Sequence, residues 1–148
     1  MPDPPPRFIR RVPMAAGRSI DPASGRLWKP LPAPTDPEKP WMVDLARFFG
    51  GDNRVAYLKT TIHSKTEQTA RLEMGSDDGI KLWLNGELVH AVNAARGVKR
   101  GEDVKEVTLK AGENHILVKV NNYAGPWGVA VRVRAPDGTS LEGLDLNP

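Results

Sequence analysis

One short segment near the middle of the chain restricts the fold more than any other part of the sequence. Residues 80–84 and 87–90 are largely apolar with interspersed polar side chains, and Asn85-Gly86 separates the two runs. A two-residue type I′ turn needs positive φ at both central positions, which Asn and Gly tolerate better than other residues. The segment therefore predicts a β-hairpin.

The same period of two recurs on both sides of this hairpin. Apolar side chains occupy every second position of several runs, which Gly, Asn or Asp residues separate, at 56–62, 70–74, 107–109, 116–120 and 129–133. Half-buried antiparallel strands produce this pattern. About seven or eight such strands imply two sheets packed face to face. We therefore predict an all-β fold, an antiparallel β-sandwich, whose core needs no metal or disulfide for its stability.

The first 40 residues differ in composition from the rest of the chain. All but three of the 14 prolines lie there. Proline lacks an amide donor and restricts the residue before it, which excludes a helix or a central strand. We predict an extended, proline-rich arm in 1–40 that packs on a β-sandwich domain in 41–148. The apolar residues that would attach the arm are Phe8, Ile9, Val12, Ile20, Leu27, Trp28 and Leu31.

A single short helix is predicted between the arm and the first long strand. It covers residues 41–49, and Gly50-Gly51 follows as its C-cap.

Composition excludes several classes of function. No run approaches the roughly 18 apolar residues of a membrane helix, so no membrane partner is expected. The net charge is +3, from 21 basic and 18 acidic residues, and the basic residues form no patch typical of nucleic-acid binding. Arg96, Lys99 and Arg100 are the nearest to a basic cluster, and we interpret them as a solvated loop. The chain has no cysteine, which excludes disulfides and thiolate metal sites.

Catalytic motifs are also missing, so we expect no enzyme. The sequence has no Gly-x-Ser-x-Gly elbow, no phosphate-binding glycine loop and no zinc motif. His63, His90 and His115 are far apart in strand contexts and lack the spacing of metal ligands. His90 is interpreted as an exposed strand residue. The alternative places it at a loop-end site with Asn93 and Arg96.

Two segments, 70–86 and 107–122, resemble galactose-binding-like β-sandwich (jelly-roll) modules, including sugar-binding domains that accompany glycoside hydrolases and non-catalytic domains of large secreted bacterial proteins. Gly75-Ser76-Asp77-Asp78-Gly79 is similar to the acidic loop of the PA14 family, in which paired aspartates bind calcium and a sugar. The resemblance covers about 41–134.

This resemblance implies a non-catalytic carbohydrate-binding module of a larger secreted or cell-envelope protein. Its partners would be a polysaccharide or glycan and other domains of the parent protein, in an extracellular or periplasmic location. No signal peptide opens the chain. The alternative is a jelly-roll accessory domain for structure or protein interaction, without a sugar site.

Asp77 and Asp78 are the first candidates for ligand binding. Their carboxylates can accept hydrogen bonds from sugar hydroxyls directly, or hold a hard cation such as calcium that does so. In the competing interpretation, they shape a turn by Asx-type hydrogen bonds.

The second candidate site is the loop that contains Asn121, Asn122, Tyr123 and Trp127. Aromatic rings stack on sugar rings, and the neighbouring amides bond to hydroxyls. In the competing interpretation, Trp127 plugs the open end of the core. Trp83 points away from the predicted core, either as a sugar platform or beneath the proline-rich arm.

Overall fold

The computed structural model describes residues 13–15, 28–30 and 41–145 of the chain. In these residues the elements are β1 (Pro13–Ala15), β2 (Trp28–Pro30), β3 (Val43–Asp44), α1 (Leu45–Phe49), β4 (Arg54–Ser64), β5 (Gln68–Asp77), β6 (Ile80–Leu84), β7 (Glu87–Val92), β8 (Asp103–Leu109), β9 (Gly112–Asn122), β10 (Gly128–Arg134) and β11 (Leu144–Asp145).

The strands form two antiparallel sheets. The large sheet has seven strands. Six of them follow the order β2-β1-β4-β9-β6-β7, and the seventh, β11, pairs with β4 along the same edge as β1. The small sheet has four strands in the order β3-β10-β5-β8. The predicted all-β sandwich is confirmed.

The core lies between the two sheets and is built from the predicted inward residues. Because alternate side chains of a strand point to opposite faces, each long strand contributes a row of apolar residues to it. Full burial of such a side chain stabilises the fold by about 1.5–3 kcal/mol. The buried rows are Ala56, Leu58, Ile62, Ala70, Leu72, Met74, Ile80, Leu82, Leu84, Val107, Leu109, Ile116, Val118, Val120, Val129 and Val131.

The predicted hairpin is present between β6 and β7. Asn85 and Gly86 have φ values of 51° and 81°, as a type I′ turn requires. The Asn85 side chain also fixes the turn to β9: its Nδ2 donates to Asn114 Oδ1 at 3.0 Å, and its Oδ1 accepts the His115 amide at 2.8 Å.

The predicted helix 41–49 is shorter in the structure. It begins at Leu45, after Val43 and Asp44 have paired with β10 as a strand. Asp44 is the N-cap, and its carboxylate accepts the Arg47 amide at 3.3 Å. Gly50 ends the helix with φ of 56°, which confirms the predicted C-cap. No helix among the described residues has the length and hydropathy to cross a bilayer.

The expectation that residues 1–40 contain no central strand is wrong at Pro13–Ala15. This strand lies between β2 and β4. Pro13 and Pro30 lie opposite each other at the strand ends, so two residues without amide hydrogens share one position in the ladder. The rest of the arm, including its predicted contact with Trp83, lies outside the described residues.

Four connections of the chain lie together at one end of the sandwich. β5 ends at Asp77 in the small sheet and β6 begins at Ile80 in the large sheet, so Asp78 and Gly79 carry the chain from one sheet to the other. Three more connections lie at this end because neighbouring strands run in opposite directions. They are residues 50–53, 93–102 and 123–127. We call this region the loop end.

The loop 93–102 lies against Gly75 of β5. A Cβ at Gly75 would stand 1.9 Å from the Lys99 carbonyl oxygen, whereas a Cβ at Gly97 would meet no atom within 4 Å. Gly75→Ala must therefore displace the loop or strain the strand.

We expect Gly75→Ala to lower the free energy of unfolding in urea by about 1–3 kcal/mol, the usual range for overpacking. Gly97→Ala, an identical change in the loop itself, is the matched control and should change it by less than about 0.5 kcal/mol. Equal stability of the two variants would show that the loop does not rest on Gly75.

Candidate binding site at the loop end

Asp77 and Asp78 lie where the chain crosses between the sheets, and both are buried. The crossover is fixed by backbone bonds to β9: the Asp78 amide donates to the Asn121 carbonyl at 2.8 Å, and the Asn121 amide donates to the Gly79 carbonyl at 3.1 Å. Ser76 Oγ donates to the Asp78 carbonyl at 2.7 Å. The peptide bond between the two aspartates is cis.

The Asp78 carboxylate joins two loops. Its Oδ1 accepts the amide of Arg96 at 3.0 Å, and its Oδ2 accepts the amide of Tyr123 at 2.7 Å. The Asx-type interpretation predicted bonds within a local turn. The donors instead belong to loops distant in sequence, so Asp78 acts as a brace across the loop end.

Asp77 lies beside this brace in a different electrostatic situation. Burial, followed by the hydrogen bond to Asp78 and the negative charge of Asp78, raises the pKa of Asp77 to about 6. At neutral pH, two neighbouring buried carboxylates therefore repel each other, and a cation beside them would relieve that repulsion.

Arg96 attaches the 93–102 loop to the small sheet. Its Nε donates to the Ser76 carbonyl at 3.2 Å, and its Nη2 donates to Ser76 Oγ at 2.9 Å. Its Nη1 donates to Asp103 Oδ1 at 3.0 Å. Its Nη2 also donates to Asp103 Oδ2 at 2.5 Å. The hydrogen bonding from Arg96, more than any other contact, lowers the pKa of Asp103.

Two expectations are corrected here. Arg96 does not belong to a solvated basic loop, because Ser76 and Asp103 hold its side chain. His90 is not an exposed strand histidine: it is partly buried, and its Nε2 lies 3.2 Å from Asp103 Oδ2. It reaches Arg96 through Asp103.

The loop after β9 has one accessible aromatic side chain, Tyr123. Its side chain is 45% exposed, and its hydroxyl donates to Asn93 Oδ1 at 2.6 Å. The Tyr123 carbonyl accepts the Asn53 amide at 3.1 Å. Its ring is thus held in place while it faces solvent.

Asn122 points inward, with its Nδ2 donating to the Gly51 carbonyl at 2.9 Å. Its Oδ1 has no hydrogen-bond partner among the described residues. A buried acceptor without a partner is uncommon and calls for an explanation, such as a water or an ion.

Trp127 lies in the core, only 2% exposed. Its ring centroid is 5.8 Å from that of Phe49, and its carbonyl accepts the Leu45 amide at 2.9 Å. Its ring offers no face for stacking on a sugar in this structure, and the plug interpretation agrees with its burial. Trp83 is half-buried on β6.

The structure therefore brings together only part of the predicted set. Asp77, Asp78, Asn121 and Tyr123 meet at the loop end, whereas Asn122 and Trp127 turn inward. Sequence reasoning missed Arg96 as the residue that holds the loop. Nothing in the local sequence marks it, because its partners Ser76 and Asp103 are brought close only by the fold.

A calcium ion would find part of a coordination shell here. Calcium takes six to eight oxygen ligands in proteins. Asp77 and Asp78 supply carboxylate oxygens of the right type, but the described part of the chain holds no cluster of three or more His, Cys, Asp or Glu placed for a metal ion. The remaining ligands would have to be carbonyl or amide oxygens and water.

The comparisons with known proteins bear on the fold. No protein-family model and no curated protein matches the sequence. An anti-sigma factor domain-containing protein is similar in structure, with a TM-score of 0.61 and 12% identity, over 87% of this chain and 43% of that chain. The PA14 domain of the MpAFP antifreeze protein has a TM-score of 0.55 and 15% identity, over 92% of this chain and 69% of that chain.

The chain has a PA14-like β fold. A putative β-galactosidase from Bacteroides fragilis is also similar, with a TM-score of 0.53 and 14% identity, over 82% of this chain and 22% of that chain. The chain thus spans less than half of the anti-sigma factor domain-containing protein and less than a quarter of the galactosidase. The resemblance inferred from sequence is confirmed for the fold.

The raised pKa of Asp77 predicts a pH-dependent stability. Between about pH 4 and 6, the folded domain keeps a proton on Asp77 that the unfolded chain releases, so the contribution of Asp77 to wild-type stability falls as pH rises through that range. The Asp77→Asn variant has no ionisable group at this position, so it does not lose stability in this way. Between about pH 4 and pH 7, the free energy of unfolding of the variant should therefore increase relative to that of wild type by on the order of 2 kcal/mol.

Urea denaturation with a metal chelator measures this difference. A difference that is constant over this pH range would contradict the raised pKa of Asp77.

Proposed function

We propose that this domain is a non-catalytic carbohydrate-binding module whose glycan site is the loop end. The observation that carries the proposal is an exposed tyrosine whose backbone is bonded to a buried carboxylate. The Tyr123 ring faces solvent, while its own amide donates to Asp78 Oδ2 at 2.7 Å. Sugar recognition combines an apolar surface for the ring face with a few placed polar groups for hydroxyls.

The positions of these groups are fixed before a ligand arrives. The Tyr123 hydroxyl is held by Asn93, and its backbone is held by Asp78 and Asn53. Ordering a side chain on binding costs about 0.5–1.5 kcal/mol, and preorganisation reduces that cost. The site is nonetheless open, with a single exposed large aromatic among the described loop-end residues, so we expect modest affinity.

The proposal includes a calcium ion that the carboxylates of Asp77 and Asp78 coordinate. A bound calcium ion would supply positive charge and open coordination positions for vicinal hydroxyls. Its charge would also offset the negative charge of Asp78, which adds to the effect of burial in raising the pKa of Asp77. The Oδ1 of Asn122, which has no hydrogen-bond partner among the described residues, is an additional oxygen acceptor at this end.

We further propose that the domain is an accessory part of a larger secreted or cell-envelope protein. The PA14 domain of an antifreeze protein and a segment of a putative β-galactosidase, each part of a longer chain, support a modular role. The glycan and the other domains of the parent protein would be its partners.

The second candidate is an accessory domain for structure or protein interaction. Two observations favour it. Both oxygens of Asp78 already accept backbone amides, and Trp127 belongs to the core. In that function the acidic pair only braces the loops, and no sugar binds.

Titration of a glycan panel by calorimetry, with calcium and with a chelator, separates these candidates. Loss of the stacking ring in Tyr123→Ala should weaken glycan binding by about tenfold. Leu88→Ala is the matched control, because Leu88 is 48% exposed and lies beside the Asn85-Gly86 turn at the opposite end. It should bind like wild type.

Binding that Tyr123→Ala and Leu88→Ala weaken equally would contradict a site at the loop end. Binding to no glycan in either buffer would favour the structural function. Loss of binding in the chelator alone would assign calcium a part in the site.

A further inference from the structure

The outer face of the large sheet carries two lysines that lie side by side. Lys119 on β9 lies directly opposite Lys81 on β6, and Tyr57 on β4 lies opposite Lys119 on its other side. Trp83 follows Lys81 by two residues and lies opposite Leu117. Because alternate residues of a strand share a face, all five side chains lie on the side of the sheet away from the core. We call this set the basic face.

Lys81 and Lys119 form no ion pair with any residue in the part of the chain that the structure describes. Like charges that lie directly opposite each other weaken strand pairing. Lys59 lies on the same face, opposite Leu117, but it already interacts with another group, so only two cations are counted here. An anion that bridges Lys81 and Lys119 would relieve their repulsion.

The negative charges of this sheet are collected at the end opposite the loop end. The acidic residues in its described strands are Glu87, Glu113 and Asp145. Glu87 directly follows the hairpin turn, and Glu113 and Asp145 both lie opposite His63. Glu113 precedes Lys119 by six residues, a separation of about 20 Å along an extended strand. The middle of the outer face is therefore positive.

Lysines on a sheet surface are commonly only solvated, but here two aromatic rings accompany them. Tyr57 and Trp83 are half-buried. They are two strands apart and offset by two residues, which separates their Cα atoms by about 12 Å. Each ring offers apolar surface and one hydrogen-bond donor, the phenol O–H or the indole N–H. The face thus combines positive charge, donors and apolar surface over a flat area of three strands.

The type of cation favours one kind of anionic group. A lysine ammonium group is a point charge, without the planar fork by which arginine matches a carboxylate. A sulfate ester presents three outward oxygens to such a point charge. Nucleic acid is the less favoured polyanion, because its binding relies on many phosphate contacts and this face supplies two counted cations.

We propose that the basic face binds a sulfated polysaccharide. Its sulfate groups contact the ammonium groups of Lys81 and Lys119, and its sugar rings lie over Tyr57, Trp83 and Leu117. A flat surface needs no cavity for the sugar, but it binds a single unit weakly, so the affinity comes from repeated units of one chain. The glycan site proposed at the loop end uses none of these residues, and the two proposals are independent.

The full chain is titrated by calorimetry with dextran sulfate, dextran, polygalacturonate and oligothymidylate, in a metal chelator so that no calcium is bound at the loop end. Dextran sulfate should bind most tightly of the four, and added salt should weaken its binding because salt screens exposed charges. Dextran, which has the same sugar backbone without charge, should not bind measurably.

Lys81→Glu separates binding from folding. It places a negative charge opposite Lys119, so its melting temperature should not fall below that of wild type. Its affinity for dextran sulfate should nevertheless fall by about tenfold or more. Lys105→Glu is the matched control, because it makes the same charge change at an exposed lysine on β8 of the small sheet. It should bind dextran sulfate within about twofold of wild type.

The indole N–H signals in the NMR spectrum locate the ligand. The Trp83→Phe variant identifies the signal of Trp83, and dextran sulfate should shift that signal in wild type. The signal of Trp127, whose ring lies in the core, should not move.

No binding of dextran sulfate, or equal binding of dextran or polygalacturonate, would overturn the proposal. Tighter binding of oligothymidylate would assign the face to nucleic acid and overturn it as well. Equal affinities of Lys81→Glu and Lys105→Glu would show that only the net charge matters. Tyr123→Ala should bind dextran sulfate normally. Loss in that variant would move the ligand to the loop end, which overturns this proposal without affecting the proposed function.

Discussion

The buried carboxylate of Asp78 accepts backbone amides from two loops, at Arg96 and at Tyr123. Hydrogen bonds to a charged group contribute about 1.5–3 kcal/mol each, and a buried carboxylate that lost them would be strongly disfavoured. The side chain of Arg96 carries the connection onward to Ser76 and Asp103, and Asp103 reaches His90. The order of the loop end depends on this one acceptor at the crossover between the sheets.

The same brace helps to place the two aromatic residues of the loop after β9 in different environments. Asp78 fixes the backbone of Tyr123, whose ring remains exposed, while α1 fixes the carbonyl of Trp127, whose ring fills the core. A short loop thereby supplies both the proposed binding surface and a buried ring of the core. On the other side of the brace, the 93–102 loop crosses Gly75 and places Arg100 over the ring of Trp41. The proposed glycan site therefore uses loops that Asp78 and Arg96 position.

The features that the sequence predicted are those with local causes. The Asn85-Gly86 turn follows from the φ values that these residues tolerate, and the inward rows follow from the period of two. What sequence reasoning missed depends on partners distant in the chain. Pro13 is tolerated as the first residue of a strand whose partners, residues 28–30 and 57–58, lie far away in the sequence, and Arg96 is ordered because the fold brings Asp103 close to it. The burial of Trp127, which decides between ring stacking and core packing, depends on where Phe49 and α1 dock.

Amide hydrogen exchange of Asp78→Ala tests the central claim most directly. In wild type, the amides of Arg96 and Tyr123 should exchange slowly, although both lie in loops, because they donate to a buried carboxylate. In the variant, both should exchange much faster, while the Asn85 amide, bonded to His115 at the opposite end, should keep its wild-type rate and show that the sandwich is folded. Unchanged exchange at Arg96 and Tyr123 in a folded Asp78→Ala variant would contradict the role of Asp78 as the brace of the loop end.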